Sequence, residues 1–179
     1  MIPTDKQIYD LWDQYQFPPE KRIHVIFVEK VALFFARKIN ERQHIHINEE
    51  LLHAAALTHD IDKNAKKLSG EHHPDSCVRI LIEANMEEVA RVVATHPLHT
   101  ILNSSLCPKT WEEKFLFLAD KMVKYEIITV DKRFDLWRAE EMSEDARIVL
   151  EECYPKVKQL EEEILTQINV LPADVAFLA

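Results

Sequence analysis

The stretch that decides the fold is NEELLHAAALTHDIDK, residues 48–63. Asn48 suits the N-cap of a helix that begins at Glu49, because a short polar side chain there accepts a hydrogen bond from the first turn. Apolar residues then recur at helical spacing, and these are Leu52, Ala55 and Ala56. His59 falls on the same stripe. The pattern predicts an amphipathic helix whose buried face ends in a histidine, followed at once by Asp60.

The composition of the whole chain also favours helices. The chain has 179 residues, of which 47% are hydrophobic and only one, Gly70, is glycine. Hairpin turns and phosphate-cradling loops need several glycines, so a P-loop and a dinucleotide-binding fingerprint are excluded. This length suits one well-cored domain. We expect an all-α, single-domain bundle.

The charge balance limits the partners. Thirty-one acidic residues against 22 basic ones give a formal net charge of -9, which repels nucleic-acid polymers. A small anionic substrate stays possible, because a bound dication can reverse the local field. The three cysteines have no CxxC spacing, and neither a signal peptide nor a long apolar span is evident. We therefore expect a cytoplasmic protein without membrane contact.

Sequence patterns that mark the starts and ends of helices occur along the rest of the chain. Capping boxes open helices after Thr4 and Thr110, and proline or polar residues end most of the others. Besides the helix at Glu49, the predicted helices cover about residues 5–17, 19–42, 75–84, 87–96, 111–125 and 131–170, the last with a break or kink at Pro155. We divide this one structural domain into an N-terminal helix (1–19), a core (20–135) and C-terminal helices packed on the core (136–179).

Polar residues occur where apolar ones belong. His24, His59, His96 and Asp120 each share the apolar face of a different predicted helix. A single histidine on such a face is usually a satisfied core residue. Asp120 is harder to explain in that way, because a buried carboxylate costs several kcal/mol unless it is paired or bound to metal. A dication accommodates all four residues, since imidazole nitrogen and carboxylate oxygen are natural ligands.

Two lysines lie near Asp120 in sequence and could pair with its carboxylate in place of a metal ion. Lys121 and Lys124 belong to the same predicted helix, but we expect neither to face Asp120. We therefore expect Asp120 to lack a lysine partner and to need a metal ion.

These residues resemble a known signature. His24, then THDIDK at 58–63, then Ala119-Asp120-Lys121, is similar to the H…HD…D pattern of the HD superfamily of metal-dependent phosphohydrolases. EHHPDS at 71–76 and Ala94-Thr95-His96 resemble the two extra histidine positions of one subgroup, which includes enzymes that split diadenosine tetraphosphate symmetrically. The resemblance covers about residues 20–135, most of the chain.

The resemblance implies a helical core with the metal site at its centre. His24, His59, Asp60 and Asp120 would hold one divalent ion, and Asp60 would bridge to a second ion held by His73 and His96. The ions could be Fe, Mn, Co, Ni, Mg or Zn. His72 stays open as an alternative to His73, which we prefer because Pro74-Asp75 follows it. One ion, with His73 and His96 as substrate contacts, is the other possibility.

The resemblance further implies hydrolysis of a phosphoester or phosphoanhydride bond in a small nucleotide-like substrate, with Asp60 and Lys63 as catalytic residues. Lys63 would contact the phosphate, and His99 is either a substrate contact or a loop residue. A nucleoside 5′-monophosphatase is a weaker alternative, because Asp62 and Lys63 stand where that branch has a glutamate. One glycine cannot supply the Gly-Tyr-Pro motif of the cyclic-dinucleotide branch.

Two alternatives remain outside catalysis. The chain could be a non-catalytic sensor or scaffold that binds metal and nucleotide. The apolar stripe of the C-terminal helix either packs over the core or forms a homodimer contact; its residues are Val149, Leu150, Cys153, Val157, Leu160 and Ile164.

Overall fold

The computed structural model describes residues 1–42 and 45–178 and confirms the all-α fold as a single domain. Nine α-helices and no strands occur within these residues. The helices are α1 (Asp5–Gln14), α2 (Pro19–Arg42), α3 (Glu49–Thr58), α4 (Asp75–Glu83), α5 (Glu87–Ala94), α6 (Trp111–Lys121), α7 (Val130–Arg138), α8 (Glu144–Ile168) and α9 (Pro172–Ala176). Two 3-10 turns, Ile61–Lys63 and Leu98–Leu102, lie between them.

Helix α2 is the centre of the bundle and packs mainly against α3 and α6. Its apolar stripe is fully buried, with Val28, Val31 and Phe35 at zero exposure. The aromatic ring of Phe35 meets that of Phe115 from α6 at 5.9 Å between centroids. Because these helices enclose the core on several sides, His24 on the same stripe has little access to bulk water and is only 5% exposed.

Side-chain caps fix where several helices begin. Thr4 and Thr110 form the predicted capping boxes, and Asn48 accepts a hydrogen bond from the backbone of Leu51. Thr129 and Ser143 cap α7 and α8 in the same way, two starts that the sequence reading did not separate. The boundaries of α1, α2, α4 and α5 lie within three residues of prediction, whereas the end of α7 and the short helix α9 were not predicted.

Two boundaries differ from prediction. Helix α6 ends at Lys121 rather than near Tyr125, because the chain turns back there and Ile128 N donates to Met122 O at 2.8 Å. Of the predicted break or kink at Pro155, the break does not occur: Pro155 lies on the exposed side of a continuous α8. The actual interruption covers residues 139–143. An exposed proline removes one helical hydrogen bond, and packing on both sides of it keeps the helix continuous.

The C-terminal stripe packs on the core of the same chain. Leu150, Cys153, Val157, Leu160 and Ile164 are all buried, and only Val149 of the predicted stripe stays exposed. Val175 of α9 is also buried. Among the described residues, none of the helices combines the length and apolar character that crossing a membrane requires.

Helix α1 is fastened to the end of α3 by polar contacts. The Trp12 indole donates from Nε1 to the carbonyl of Leu57 at 2.9 Å, and the amide of Asn64 donates to Gln16 O at 2.9 Å. Both contacts lie close to His59 and Asp60 in sequence. The N-terminal helix therefore supports the segment that carries this pair.

Candidate metal centre

Five helices and their ends bring the predicted polar residues together. His24 projects from α2, His59 and Asp60 follow α3, His73 precedes α4 and His96 follows α5. Asp120 lies in α6, outside the two ligand groups defined below. The residues form two sets, and within each set the possible ligand atoms lie within 4.8 Å of one another. We call His24, His59 and Asp60 the first ligand group, and Asp60, His73 and His96 the second ligand group. Asp60 belongs to both.

The end of α3 explains how two consecutive residues can face one centre. Neighbouring residues inside a helix project about 100° apart. Here α3 stops at Thr58, His59 occupies the C-cap position, and Asp60 has left the helix with φ -110°. The change in backbone direction lets the His59 ring and the Asp60 carboxylate point to the same space, where both are at most 5% exposed.

The four histidines of the two ligand groups are each oriented by a hydrogen bond from Nδ1. In His24 this atom donates to Lys124 O at 3.1 Å, in His59 to Ala56 O at 2.8 Å, and in His96 to Val93 O at 2.6 Å. In His73 it donates to a carboxylate oxygen of Asp62 at 2.9 Å. A carbonyl or carboxylate oxygen only accepts, so Nδ1 carries the proton in each ring and Nε2 keeps its lone pair when the ring is neutral.

These Nε2 atoms face other acceptors. The Nε2 of His24 lies 3.1 Å from Oδ1 of Asp120, and that of His59 lies 3.5 Å from the same oxygen. The Nε2 of His73 lies 2.9 Å from that of His96. The Nε2 of His59 is buried without a hydrogen-bond partner. Acceptors that face acceptors in a buried space require positive charge between them, either protons or a metal ion.

Asp62 orients His73, a role that the sequence reading did not assign. Asp62 is 1% exposed, and its second oxygen accepts a hydrogen bond from Ser76 Oγ at 2.5 Å. Burial alone would raise the pKa of Asp62, but hydrogen bonds from His73 and Ser76 lower it below the usual value. The sequence signal for this role was the position of Asp62, a carboxylate only two residues after Asp60.

The expectation that Asp120 lacks a lysine partner is wrong. The ammonium of Lys121 lies 2.6 Å from Oδ2 of Asp120, and its side chain is only 2% exposed. The flexible four-carbon chain of Lys121 reaches back around the end of α6, which a count of helix faces does not anticipate. Asp120 is only part-buried, with 16% of its side chain exposed, and it has a lysine partner, so it does not by itself demand a metal ion. The orientation of the histidines carries that argument instead.

Asp60 is held between cationic side chains. Lys63 lies 3.0 Å from its Oδ1, and Lys21 of α2 lies 3.4 Å from its Oδ2. Burial would raise the pKa of Asp60, but the charges of His59 and Lys63 outweigh it and lower that pKa well below the usual value. Asp60 is thus an ionised carboxylate with both oxygens directed to cations.

The pKa values of two buried histidines are shifted in opposite directions. Burial favours the neutral form of His59, yet the charges of Asp60 and Asp120 raise its pKa above the usual value. Burial, followed by the charge of His59, lowers the pKa of His96 well below the usual value. His96 is therefore neutral near pH 7, the form in which imidazole binds metal.

A small basic pocket opens beside His24, and the sequence reading missed it. Its volume is about 220 Å³. The residues that line it besides His24 are Glu20, Lys21, Lys124, Tyr125, Arg133, Trp137 and Glu140. The guanidinium of Arg133 lies 4.4 Å from the Trp137 ring, and its Nε is buried without a partner. Lys21 could have been found from sequence, because it lies three residues before His24 on one face of α2.

Two other histidines lie apart from both ligand groups. His72 is exposed, whereas its neighbour His73 belongs to the second ligand group. His99 is exposed in the turn Leu98–Leu102 and lines a separate apolar groove with Trp137 and Val149. The structure therefore does not bring His99 to the ligand groups.

The residues fit a divalent metal ion. Imidazole Nε2 atoms with fixed rings and carboxylate oxygens are the donors that Fe, Mn, Co, Ni and Zn accept, and a buried Nε2 without a partner is a vacant coordinating atom. Comparison of the chain with protein-family models, with curated proteins and with solved structures gave no match.

Proposed function

We propose that this chain is a metal-dependent phosphohydrolase that cleaves a phosphoester or phosphoanhydride bond in a small nucleotide-like substrate. One observation carries the proposal: four histidines direct Nε2 atoms to a buried space that they share with Asp60 and Asp120. The similarity to the HD signature supports the assignment to phosphate chemistry.

The first ligand group with Asp120 would hold one ion, and the second ligand group would hold another through the shared Asp60. A bound dication would polarise a phosphoryl oxygen and make water a better nucleophile at neutral pH. The hydrogen bonds to Nδ1 keep each ring in the tautomer and orientation that this role needs. Asp60 is the residue whose loss would affect both ions.

Basic residues around the centre suit an anionic substrate. Lys63 and Lys21 already contact Asp60, and both are part-exposed, so their ammonium groups can also meet a phosphate oxygen. Arg133 and Lys124 line the adjacent pocket, where Lys124 is paired with Glu140 at 3.3 Å. These groups would bind and orient the phosphate, which explains how a chain of net charge -9 can accept an anion.

Aromatic rings in the same pocket suit a planar base. Trp137 and Tyr125 line the pocket together with Arg133, whose guanidinium stacks on Trp137. Aromatic and guanidinium planes are surfaces on which nucleobases stack. The pairing of cationic and aromatic side chains supports a nucleotide-like substrate over a simple phosphate ester.

The test is a hydrolysis screen of the metal-stripped chain reloaded with Mn²⁺, Fe²⁺, Co²⁺, Ni²⁺, Mg²⁺ or Zn²⁺. The substrates are nucleoside mono-, di- and triphosphates, dinucleoside polyphosphates and a generic phosphodiester. We expect release of phosphate or nucleotide with at least one metal. Asp60→Ala should abolish both metal retention and turnover, while Asp10→Ala, an exposed residue paired with Lys6, should preserve both.

Two results would change the proposal. Tight nucleotide binding without product release under every metal would favour a sensor or scaffold, and an active Asp60→Ala variant free of metal would rule out the mechanism. Elemental analysis of the loaded chain distinguishes one ion from two. Preference for monophosphates in the screen would favour a nucleoside 5′-monophosphatase.

A further inference from the structure

Lys121 is one of the most deeply buried charged residues in the described chain. It is 1% exposed, and its ammonium lies inside the bundle, 4.5 Å from the centroid of the Phe117 ring. A buried ammonium is costly unless its donors are satisfied. Two of the three donors of Lys121 meet acceptors, and each of these two contacts reaches a residue of the candidate metal centre.

The first contact fixes Asp120. Lys121 Nζ donates to Oδ2 of Asp120 at 2.6 Å, so Oδ1 is left to face His24 and His59. Consecutive residues on a helix do not normally face each other. Lys121 achieves the contact because it is the last residue of α6 and its chain folds back. The carboxylate can then present only one oxygen to the first ligand group.

The second contact fixes His96. Lys121 Nζ also donates to the backbone carbonyl of His96 at 2.6 Å. The ring of His96 is held separately through Nδ1, which donates to Val93 O. His96 is thus restrained at both its backbone and its side chain. Because it belongs to the second ligand group, one ammonium links the two halves of the centre.

We infer that Lys121 is a positioning residue that sets the spacing between Asp120 and His96, and so sets the metal affinity of the centre. This inference rests on the proposed function, because it assumes that the ligand groups hold metal. It assigns Lys121 no contact with the substrate. The inference also explains why the Lys121 ammonium is tolerated close to a site for a metal cation. The ammonium repels the metal ion, but it holds the ligands in place so that they need no rearrangement when the ion binds.

The test compares Lys121→Met with Phe117→Leu in the full chain. The methionine side chain has similar length but no donor, whereas Phe117→Leu trims the same part of the core and leaves both hydrogen bonds of Lys121 in place. The probe is Mn²⁺ alone, titrated calorimetrically into metal-stripped protein below the melting temperature of each variant. Visible absorption of the Co²⁺-loaded proteins reports the ligand arrangement without any catalytic assay.

We expect Lys121→Met to bind Mn²⁺ roughly 10- to 100-fold more weakly, with an altered Co²⁺ spectrum. Phe117→Leu should melt at a lower temperature but keep the affinity and spectrum of the unmodified chain. If Lys121 acted only through its charge, its removal would strengthen cation binding, the opposite sign. Stronger or unchanged binding with an unchanged spectrum would overturn the inference.

A second variant covers failure of Lys121→Met to fold. Lys121→Gln keeps an amide NH2 on a shorter, uncharged side chain, so we expect its Mn²⁺ affinity to lie between those of Lys121→Met and the unmodified chain. An affinity equal to that of the unmodified chain would count against positioning. Absence of metal binding in the unmodified chain would overturn the proposed function and this inference together. Normal binding there, with no effect of either lysine variant, would overturn this inference alone.

Discussion

The Nε2 atoms of His73 and His96 lie 2.9 Å apart, although the Nδ1 atom of each ring already donates to an oxygen. Two neutral rings held in this way would place two lone pairs against each other. The backbone and Asp62 impose this orientation, so the repulsion is built into the protein and is relieved by a cation between the rings. The second ligand group is therefore preorganised for positive charge.

His73 and His72 provide a matched pair of substitutions. His73→Ala removes a ring from the second ligand group, so we expect roughly tenfold or greater loss of metal affinity. His72→Ala removes an exposed ring and should leave the affinity unchanged. Titration of each metal-stripped variant with Mn²⁺ measures the effect. Equal affinities for the two variants would contradict the placement of His73 at the centre.

Removal of metal should destabilise the chain. A ligand that binds only the folded state stabilises it by about 2.7 kcal/mol at 100 times its dissociation constant. For a domain of this size that corresponds to a rise in melting temperature of about 5–10 °C. Thermal unfolding with Mn²⁺ and with a chelator measures the difference, which Asp60→Ala should eliminate. A persistent difference in that variant would show that the metal binds elsewhere.

Lys21 is expected to contribute to substrate binding. It contacts Asp60 and lines the basic pocket, so Lys21→Met would remove one charged hydrogen bond to phosphate. Such bonds are worth about 1.5–3 kcal/mol, which predicts roughly a 10- to 100-fold loss in kcat/KM. Lys6→Met, at an exposed ion pair on α1, is the control. If both variants keep full activity, the pocket does not bind the phosphate.

His53 is expected to make stability depend on pH. Its ring bridges Glu29 at 2.9 Å and Asp5 at 3.0 Å. The hydrogen bond with Glu29 raises the pKa of His53 above its usual value, against burial, which lowers it. A raised folded-state pKa gives stability that is complete below the unfolded pKa of about 6.5 and is lost as pH rises through the folded value.

The measurement is the difference in free energy of unfolding between the unmodified chain and His53→Gln. We expect this difference to be larger by about 0.5 kcal/mol at about pH 5.5 than at about pH 8.5, a modest figure because solvent screens the partly exposed pair. The comparison cancels the titration of the metal centre, which both proteins share. A difference that grows with pH would contradict the bridge.

Pro155 is expected to weaken α8. It lies on the exposed side of a continuous helix, where it removes the hydrogen bond that Glu151 O would accept. Pro155→Ala should therefore raise the free energy of unfolding by about 1–3 kcal/mol. Urea unfolding measures this change. A loss of stability would mean that the proline ring makes a packing contribution larger than the missing bond.

The all-α class could be predicted because two independent signals agree. One glycine in 179 residues disfavours sheets, and apolar residues recur at helical spacing along most of the chain. Caps formed by adjacent residues, such as Thr4 and Thr110, were also readable, since they depend on local chemistry. The break considered at Pro155 does not occur, because tertiary packing, which a local pattern does not contain, keeps α8 continuous.

The candidate site was readable only where helical periodicity isolates a residue. His24 and His59 stand out on apolar stripes, whereas Lys121 and Arg133 reach their partners through long flexible side chains whose direction the sequence does not fix. Asp62 was missed for a related reason: its contact with His73 joins two loops. Contacts between distant loops depend on how the helices pack, and that information is absent from spacing alone.

The end of α3 directly before His59 limits where residues can be inserted into this chain or deleted from it. Between the Asn48 cap and His59 lie ten helical residues that include the tightly packed Ala54, Ala55 and Ala56. Losing one of these alanines would turn the end of the helix by about 100° and shift it by about 1.5 Å. The His59 ring would then swing out of the shared space, so viable insertions and deletions are confined to the loops.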